Sequence, residues 1–337
     1  MSPRADRPVL RRVRRWSLAA GGPLILLTGL SFLGARHWAF ELLTHFRLQL
    51  AAGSVFLLAV ALLLRQWRVA VMLGIVALAN GLPLAAYLLR TPIGEAQAAA
   101  RGSETLQLTV GYHNMRNRSA DFEALFAHLR QAEPDVLVLT EMDYRRRADL
   151  FHALRPRFRY FASTPGPGIF NVAVFSRFPL TEVKRMLNTA NDWPMLHVRV
   201  CPEEGRHCLR VVALHAHPPI GRWAGVRNAA MEEAALEARS GEGPVIVVGD
   251  LNCSPWSPQF REMLDLGGLR DANRAGLTGT WGSRSPFLGL LIDHLLVGPG
   301  VREKARRIGP AFGSDHFMLT ADLEFAAPAV AATDATP

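Results

Sequence analysis

The chain has 337 residues, of which 49% are hydrophobic, and its 38 Lys and Arg against 29 Asp and Glu give a formal net charge of +9. The charge is unevenly shared: residues 1–100 hold 11 Arg and 3 acidic residues, or +8, which leaves 27 basic and 26 acidic residues, or +1, for residues 101–337. The length suits about two domains, and the near-neutral larger part excludes any argument from overall basicity to nucleic-acid binding.

The first third reads as a membrane anchor over residues 1–90. Ser17–Ala35, Leu48–Leu64 and Val69–Leu89 are uncharged runs of 19, 17 and 21 residues. Each is near the length that crosses about 30 Å of hydrocarbon as a helix. Trp16, Trp38, Trp67 and Tyr87 lie at or near their ends, where amphipathic rings favour the interface. His37–Arg47 between the first two runs reads as a short interfacial stretch. Arg4, Arg7, Arg11, Arg12, Arg14, Arg15, Arg65 and Arg68 fall on one side of the three spans and Arg36, Arg47, Arg90 and Arg101 on the other. The excess predicts a cytoplasmic N-terminus, so three spans place the remainder outside. A cleaved first segment would leave that remainder outside as well.

Residues 91–104 form a small-residue linker without periodicity, and residues 326–337 a tail expected to be disordered. Between them lies a domain over 105–325. "LQLTVGYHN" predicts a strand ending on polar residues. Phe122, Leu125, Phe126 and Leu129 follow at helical spacing, with Ser119 or Asp121 as the cap and Pro134 as the stop. "DVLVLTEMD" predicts a second buried strand. Further strands are expected at 171–176, 195–201, 208–215, 244–249, 291–297 and 317–324, and helices near 222–239 and 257–266. Many strands with few helices between them predict an α+β layered domain. Cys201 and Cys208 flank a hairpin turn, where opposed positions could form a disulfide in an oxidising compartment or stay as two buried thiols; Cys253 is left over.

The polar residues fall in a regular place. Asn114, Glu141, His215, Asp250 with Asn252, Asp293, and Asp315 with His316 each sit at or beside an apolar strand. Such strand-end positions commonly carry reacting groups on a rigid scaffold. "HNMRNRS", "TEMD", "LHAHPP", "GDLNCSPWSP", "IDHLLV" and "GSDHFML" together resemble the ordered motifs of the endonuclease/exonuclease/phosphatase superfamily, and the whole chain resembles its membrane-anchored bacterial members. The resemblance implies a four-layer α/β/β/α sandwich of the DNase I type, here preceded by three transmembrane helices. It also implies attack on a phosphate ester with a divalent cation, Mg²⁺ or Mn²⁺.

By that resemblance Glu141 is the principal metal ligand, and Asn114 supports both metal and phosphate. A single Glu suits Mg²⁺, which keeps waters and phosphate oxygens in its shell. Asp250 and Asn252, two apart on one strand face, orient or deprotonate the attacking water and bind a non-bridging oxygen. Asp293 raises and orients His316, which neutralises the pentavalent phosphorus. Asp315 completes or approaches the metal site. His215 binds phosphate or protonates the leaving oxygen; His217 shares its face, and His294 reads as a packed histidine. The pair His215 and His217 could also hint at Zn²⁺, but no third ligand stands nearby in sequence. Arg145–Arg147 are either a solvated helix face or contacts to an anionic substrate, and Trp281 is read as core packing ahead of a stack on a base or a contact to lipid. Partners are the bilayer and a phosphodiester, of nucleic acid or of a lipid headgroup. The expected activity is an endonuclease-like phosphodiesterase, with a phospholipid or sphingomyelin-type phosphodiesterase as the alternative and an inactive membrane scaffold as the rival from another class.

Overall fold

A computed structural model of the chain describes residues 7–89, 105–117, 121–164, 170–188, 193–203, 207–273, 275–282 and 288–326. The linker over 91–104, the tail from 327, Ser119 and the centre of the hairpin between the two cysteines lie outside them. Two units are present, one of residues 1–91 with Ser254–Phe260 and one of the remainder.

The first unit is helical: α1 Arg7–Ser31, α2 Trp38–His45, α3 Arg47–Leu63 and α4 Trp67–Leu88. Of three expected spans, α4 alone is long and apolar enough to cross a membrane among the described residues. The helices α2 and α3 pass only as a pair bent by 64°, and the apolar part of α1 is the shorter Ala19–Ser31. The expected run 17–35 is helical only as far as Ser31. Its last residues form turns, Leu33 N–H bonding to Leu30 and Arg36 N–H to Leu33. A Cβ at Gly34 would lie 3.2 Å from Glu41 Cα, so this glycine lets α2 fold back closely. His37 caps α2, its Nδ1 accepting from Ala39 N–H at 3.2 Å. Polar groups are buried inside the unit: Glu41 accepts from Ser257 Oγ at 2.6 Å, and His45 Nδ1 from Ser254 N–H at 3.1 Å. Tyr87 meets Trp256 edge-on, with centroids 6.0 Å apart.

The second unit contains two sheets. The first holds β1 Thr105–Asn117, β2 Val136–Met142, β3 Tyr160–Ser163, β4 Val172–Ser176, β10 Val301–Ile308 and β11 Leu319–Ala326, in the order β10-β11-β1-β2-β4-β3. The other holds β5 Leu180–Asn188, β6 Trp193–Val200, β7 Leu209–His215, β8 Val245–Asp250 and β9 Asp293–Val297, ordered as numbered. Alternation gives each strand one face toward the opposite sheet. Leu108, Val110 and Tyr112 of β1, Val136 and Val138 of β2, Leu209, Val211 and Ala213 of β7, and Ile246 and Val248 of β8 form one core between the sheets.

Helices α5 Phe122–Ala132 and α6 Arg147–Leu154 cover the outer face of the first sheet. Their Phe122, Leu125, Leu129, Leu150 and Leu154 pack on Leu137, Leu139 and Phe175. Asp121 caps α5, its carboxylate accepting from Ala124 N–H at 3.1 Å. The long helix α7 Trp223–Ser240 lies on β7 and β8 through an alanine-rich buried stripe, and α8 Pro258–Gly267 follows in the chain. The result is a mixed α+β fold of two facing sheets with helices outside. Cys201 and Cys208 are joined in a disulfide, while Cys253 is a buried thiol. Three strands were not expected from sequence: β3, β5 and β10.

Candidate active site

The stripes that build the core also deliver the site. Continuing each inward-facing parity by one step places Asn114 after Tyr112 on β1, His215 after Ala213 on β7, and Asp250 after Val248 on β8. On antiparallel β9 the same parity puts Asp293 two residues before Leu295. Register then aligns them, His215 opposite Asp250 and Asp250 opposite Asp293. Three buried polar side chains thus form a row across neighbouring strands at one edge of the core. Gly249 makes that close pairing feasible. A Cβ there would lie 1.8 Å from the Leu214 carbonyl oxygen.

Glu141 reaches the site differently. Strict alternation on β2 would aim it outward with Leu137 and Leu139. Its backbone is left-handed instead, at φ 51°, a conformation that is uncommon outside glycine and that clusters at functional sites. The carboxylate accordingly accepts from Asn114 Nδ2 at 3.0 Å. Asn114 Nδ2 also donates to Asp250 Oδ2 at 3.1 Å, while its Oδ1 accepts from Arg116 N–H at 2.9 Å. One carboxamide therefore ties two carboxylates together. His215 Nε2 lies 3.5 Å from Glu141 Oε1 and 3.6 Å from Asp250 Oδ2.

Asn252 sits in the left-handed region at φ 46°. Its N–H donates to Asp250 Oδ1 at 2.8 Å, its Nδ2 donates to the Ala216 carbonyl at 2.9 Å, and its own carbonyl accepts from Arg227 Nη1 at 3.3 Å. His316 enters from the loop before β11. Its Nδ1 faces both Asp293 oxygens, at 2.9 and 3.1 Å, and its Nε2 is 3.7 Å from Asp250 Oδ2. Asp315 stands to one side, with Oδ2 accepting from Trp281 Nε1 at 3.1 Å and Oδ1 3.5 Å from Arg116 Nε.

The charges divide by environment. Burial alone would lower His316, but the Asp293 carboxylate, aided by Asp250 and Asp315, outweighs it and holds the imidazole at about 9. That histidine is a cation at neutral pH. His215 is pushed down to about 3 by burial and by the nearby His316, so it is neutral. Burial and then Asp293 drive Asp250 well above the usual carboxylate range, and burial likewise raises Glu141 against its Asn114 hydrogen bond. Two carboxylates strained upward in this way favour a compensating cation or a shared proton. Asp250, Asp293 and His316 offer ligand atoms within 4.8 Å of one another.

The structure thus gathers Asn114, Glu141, His215, Asp250, Asn252, Asp293 and His316, with Asp315 flanking. Several residues that orient them were not singled out from sequence. Thr280 Oγ1 accepts from the N–H groups of Ile292 and Asp293, at 3.2 and 3.0 Å. Ser314 donates to the Asn114 carbonyl at 2.7 Å and accepts from His316 N–H at 3.1 Å. The available signal was a Ser two residues before the histidine, a spacing that suits a hydroxyl-closed turn. Trp281, read as core, is half-buried and holds Asp315. His294 is a packed histidine as expected, Nε2 lying 2.8 Å from the Cys253 carbonyl. Arg146 lies over the Phe122 ring at 3.8 Å and Arg147 over Phe151 at 5.0 Å, so both stems serve packing.

Two facing sheets with carboxylates, carboxamides and a carboxylate-paired imidazole at one edge define a hydrolase of phosphate esters. The chain belongs to the Endonuclease/Exonuclease/phosphatase family, whose sequence profile matches residues 111–316. Solved structures of the same fold include an endonuclease/exonuclease/phosphatase from Beutenbergia cavernae, 21% identical, at TM-score 0.53 over 65% of this chain and 72% of that one. A 3′ phosphatase from Neisseria, solved with a product DNA hairpin, is 22% identical at TM-score 0.52 over 64% and 98%. The 2′,3′-cyclic phosphatase ANGEL2 is 14% identical at TM-score 0.56 over 66% and 96%. No curated protein matches the chain.

Proposed function

We propose that this chain is a divalent-metal-dependent, endonuclease-like phosphodiesterase anchored in the inner membrane, with its catalytic unit on the periplasmic side. The observation that carries the reading is the in-register row His215–Asp250–Asp293 facing the Asn114–Glu141 pair. The family is divalent-metal dependent, and the donor set suits a hard cation, because Glu141, Asp250, Asp293 and Asp315 all offer carboxylate oxygens. Glu141 is the main ligand, supported by Asn114 and Asp315. The Asp250–Asp293–His316 cluster is less suitable, since a cationic imidazole repels a dication. When bound, Mg²⁺ or Mn²⁺ supplies charge neutralisation at a non-bridging phosphate oxygen.

The chain's own groups then divide the work. Asp250, made more basic by burial, acts as the carboxylate that orients the attacking water and takes its proton. Asn252, pinned by Asp250 and Ala216, turns its second amide N–H to a phosphate oxygen. His316, charged by Asp293, stabilises the negative charge that grows on phosphorus, a contribution specific to the transition state. Neutral His215 donates a hydrogen bond to phosphate or to the leaving oxygen. Outside placement is supported by the arginine distribution and by the Cys201–Cys208 disulfide, which suits an oxidising compartment. The test is hydrolysis by the full-length chain in detergent, on plasmid DNA, RNA and phospholipid vesicles, with Mg²⁺ and with chelator. Metal-dependent DNA cleavage lost in Asp250→Ala supports the reading. Equal turnover in chelator sinks the mechanism, and headgroup release with plasmid intact moves the substrate to lipid.

A further inference from the structure

His215 is the inner end of a run of rings that leads out of the site. Phe170 lies against it with centroids 4.9 Å apart, and also meets His217 at 4.7 Å. His217 stacks on Trp223 at 4.2 Å and 23°, and the Arg222 guanidinium lies 4.4 Å above the Trp223 ring. Burial is lost at the outer end of this run. The two histidines are buried, Phe170 is half-buried, Trp223 is 38% exposed and Arg222 is exposed. Burial keeps His217 down at about 4, so the run is made of neutral rings up to its arginine. Core packing explains the inner members and not the outer two. The buried stripe of α7 begins at Ala224, one residue after Trp223.

The geometry points to a stacking subsite on Trp223 for the nucleobase next to the phosphodiester cleaved beside His215. The inference rests on the nuclease reading above and names where that substrate is gripped. Planarity is the first reason: the outer face of Trp223 already carries a flat guanidinium, the shape of slot that a base occupies. An incoming base displaces Arg222, which then pairs with the adjoining phosphate. Charge is the second. Arg116, bonded to Asn114 through its N–H, is an exposed cation at the site, and Arg222 is one at the outer end of the run. Both complement the flanking phosphates of a polynucleotide, and both repel the ammonium of a choline headgroup. Apolar area is the third. The loop before Trp223 exposes Ile220 at 54% beside Pro218, too little to seat a loop in a bilayer. Stacking of this kind is tolerant of base identity, so the subsite favours nucleotide chains without reading sequence.

The experiment uses the full-length chain in detergent with Mg²⁺, on a thymidine oligonucleotide and on the same oligonucleotide built from abasic tetrahydrofuran sugars. The wild type should show the lower KM on the thymidine chain. Trp223→Leu should raise that KM roughly 5- to 100-fold, leave kcat and the abasic KM unchanged, and be rescued by Trp223→Tyr. Equal KM values of the wild type on both oligonucleotides would overturn the subsite. So would a Trp223→Leu effect of the same size on both, or one confined to sphingomyelin vesicles. If the wild type cleaves neither oligonucleotide yet still hydrolyses bis(p-nitrophenyl) phosphate in an Asp250-dependent way, the nuclease reading fails and the subsite falls with it.

Discussion

Replacing Gly249 by alanine tests whether the site depends on the tight pairing of β7 and β8. The new Cβ would lie 1.8 Å from the Leu214 carbonyl oxygen, 1.2 Å short of the 3.0 Å that such contacts require. The obstacle is backbone on the neighbouring strand, so no side chain can swing aside. Parting the strands by that distance would stretch the Ala216 N–H bond to the Asp250 carbonyl, now 2.8 Å, to about 4.0 Å, beyond hydrogen bonding. It would also move Asp250 from His215, now 3.6 Å away. Overpacking costs about 1–3 kcal/mol, and one or two ladder bonds add about 1 kcal/mol each. The expected loss is therefore about 2–5 kcal/mol, a large share of ordinary stability. At about 2–4 °C per kcal/mol for a unit of this size, the melting point should fall by roughly 4–20 °C. Thermal melting in detergent and turnover of the full chain measure both consequences. Gly300→Ala is the control, because nothing lies within 4 Å of its Cβ although its φ of 81° carries strain. A Gly249→Ala protein that melts with the control and keeps wild-type turnover would refute the reasoning.

Three further outcomes are expected. Glu141→Gln should abolish stimulation by Mg²⁺, and Asp250→Ala should lower kcat at least about 100-fold with the melting point within a few degrees of wild type; metal titrations of activity and melting curves read both. Burial opposes ionisation of Glu237, but hydrogen bonds from Lys184 at 2.6 Å and His197 at 2.5 Å outweigh it and lower its pKa below 4.5. A depressed acid contributes stability that is present above 4.5 and lost as pH falls through the folded value; melting points taken below pH 4.5 should therefore drop less steeply in Glu237→Gln than in wild type. A periplasm-dependent reporter fused after Glu324 should be active and one fused at Arg68 silent, and the reverse pattern would place the catalytic unit inside.

The strands that carry chemistry were legible because their inward stripes are purely apolar until the final polar residue, as in Leu108, Val110, Tyr112 and then Asn114. The strands that escaped notice lie at sheet edges or disguise their stripe. β10 is written VREKARRI, yet Glu303 is buried, with Arg306 close enough to pair with both it and Asp271. Buried charge of this kind defeats a hydrophobic pattern. β5 and β3 are edge strands, where polar and exposed residues are ordinary. Within the site, residue identities were readable but their means of support were not. The left-handed turn at Glu141 contradicts the alternation that places Asn114, His215, Asp250 and Asp293. The hydroxyls of Thr280 and Ser314 act on partners brought near only by the fold, the latter across 200 residues of sequence. The three-span reading counted uncharged residues, and the first of those runs continues past Ser31, where α1 ends.

The seven residues Ser254–Phe260 belong to the helical unit although the chain reaches them directly from Asp250 and Asn252. Glu41, His45 and Tyr87 are their partners there. The helical unit is consequently not a detachable cassette. A gene fusion that exchanges residues 1–91 for another helical segment, or a fragment trimmed to begin beyond them, strands the Trp256 indole and the Ser257 hydroxyl, which had matching neighbours. Drift in the helices and drift in this loop are thereby tied together: substitutions at Glu41 should be tolerated best when Ser257 changes with it, whereas His45 accepts from a backbone N–H that any residue but proline supplies at 254.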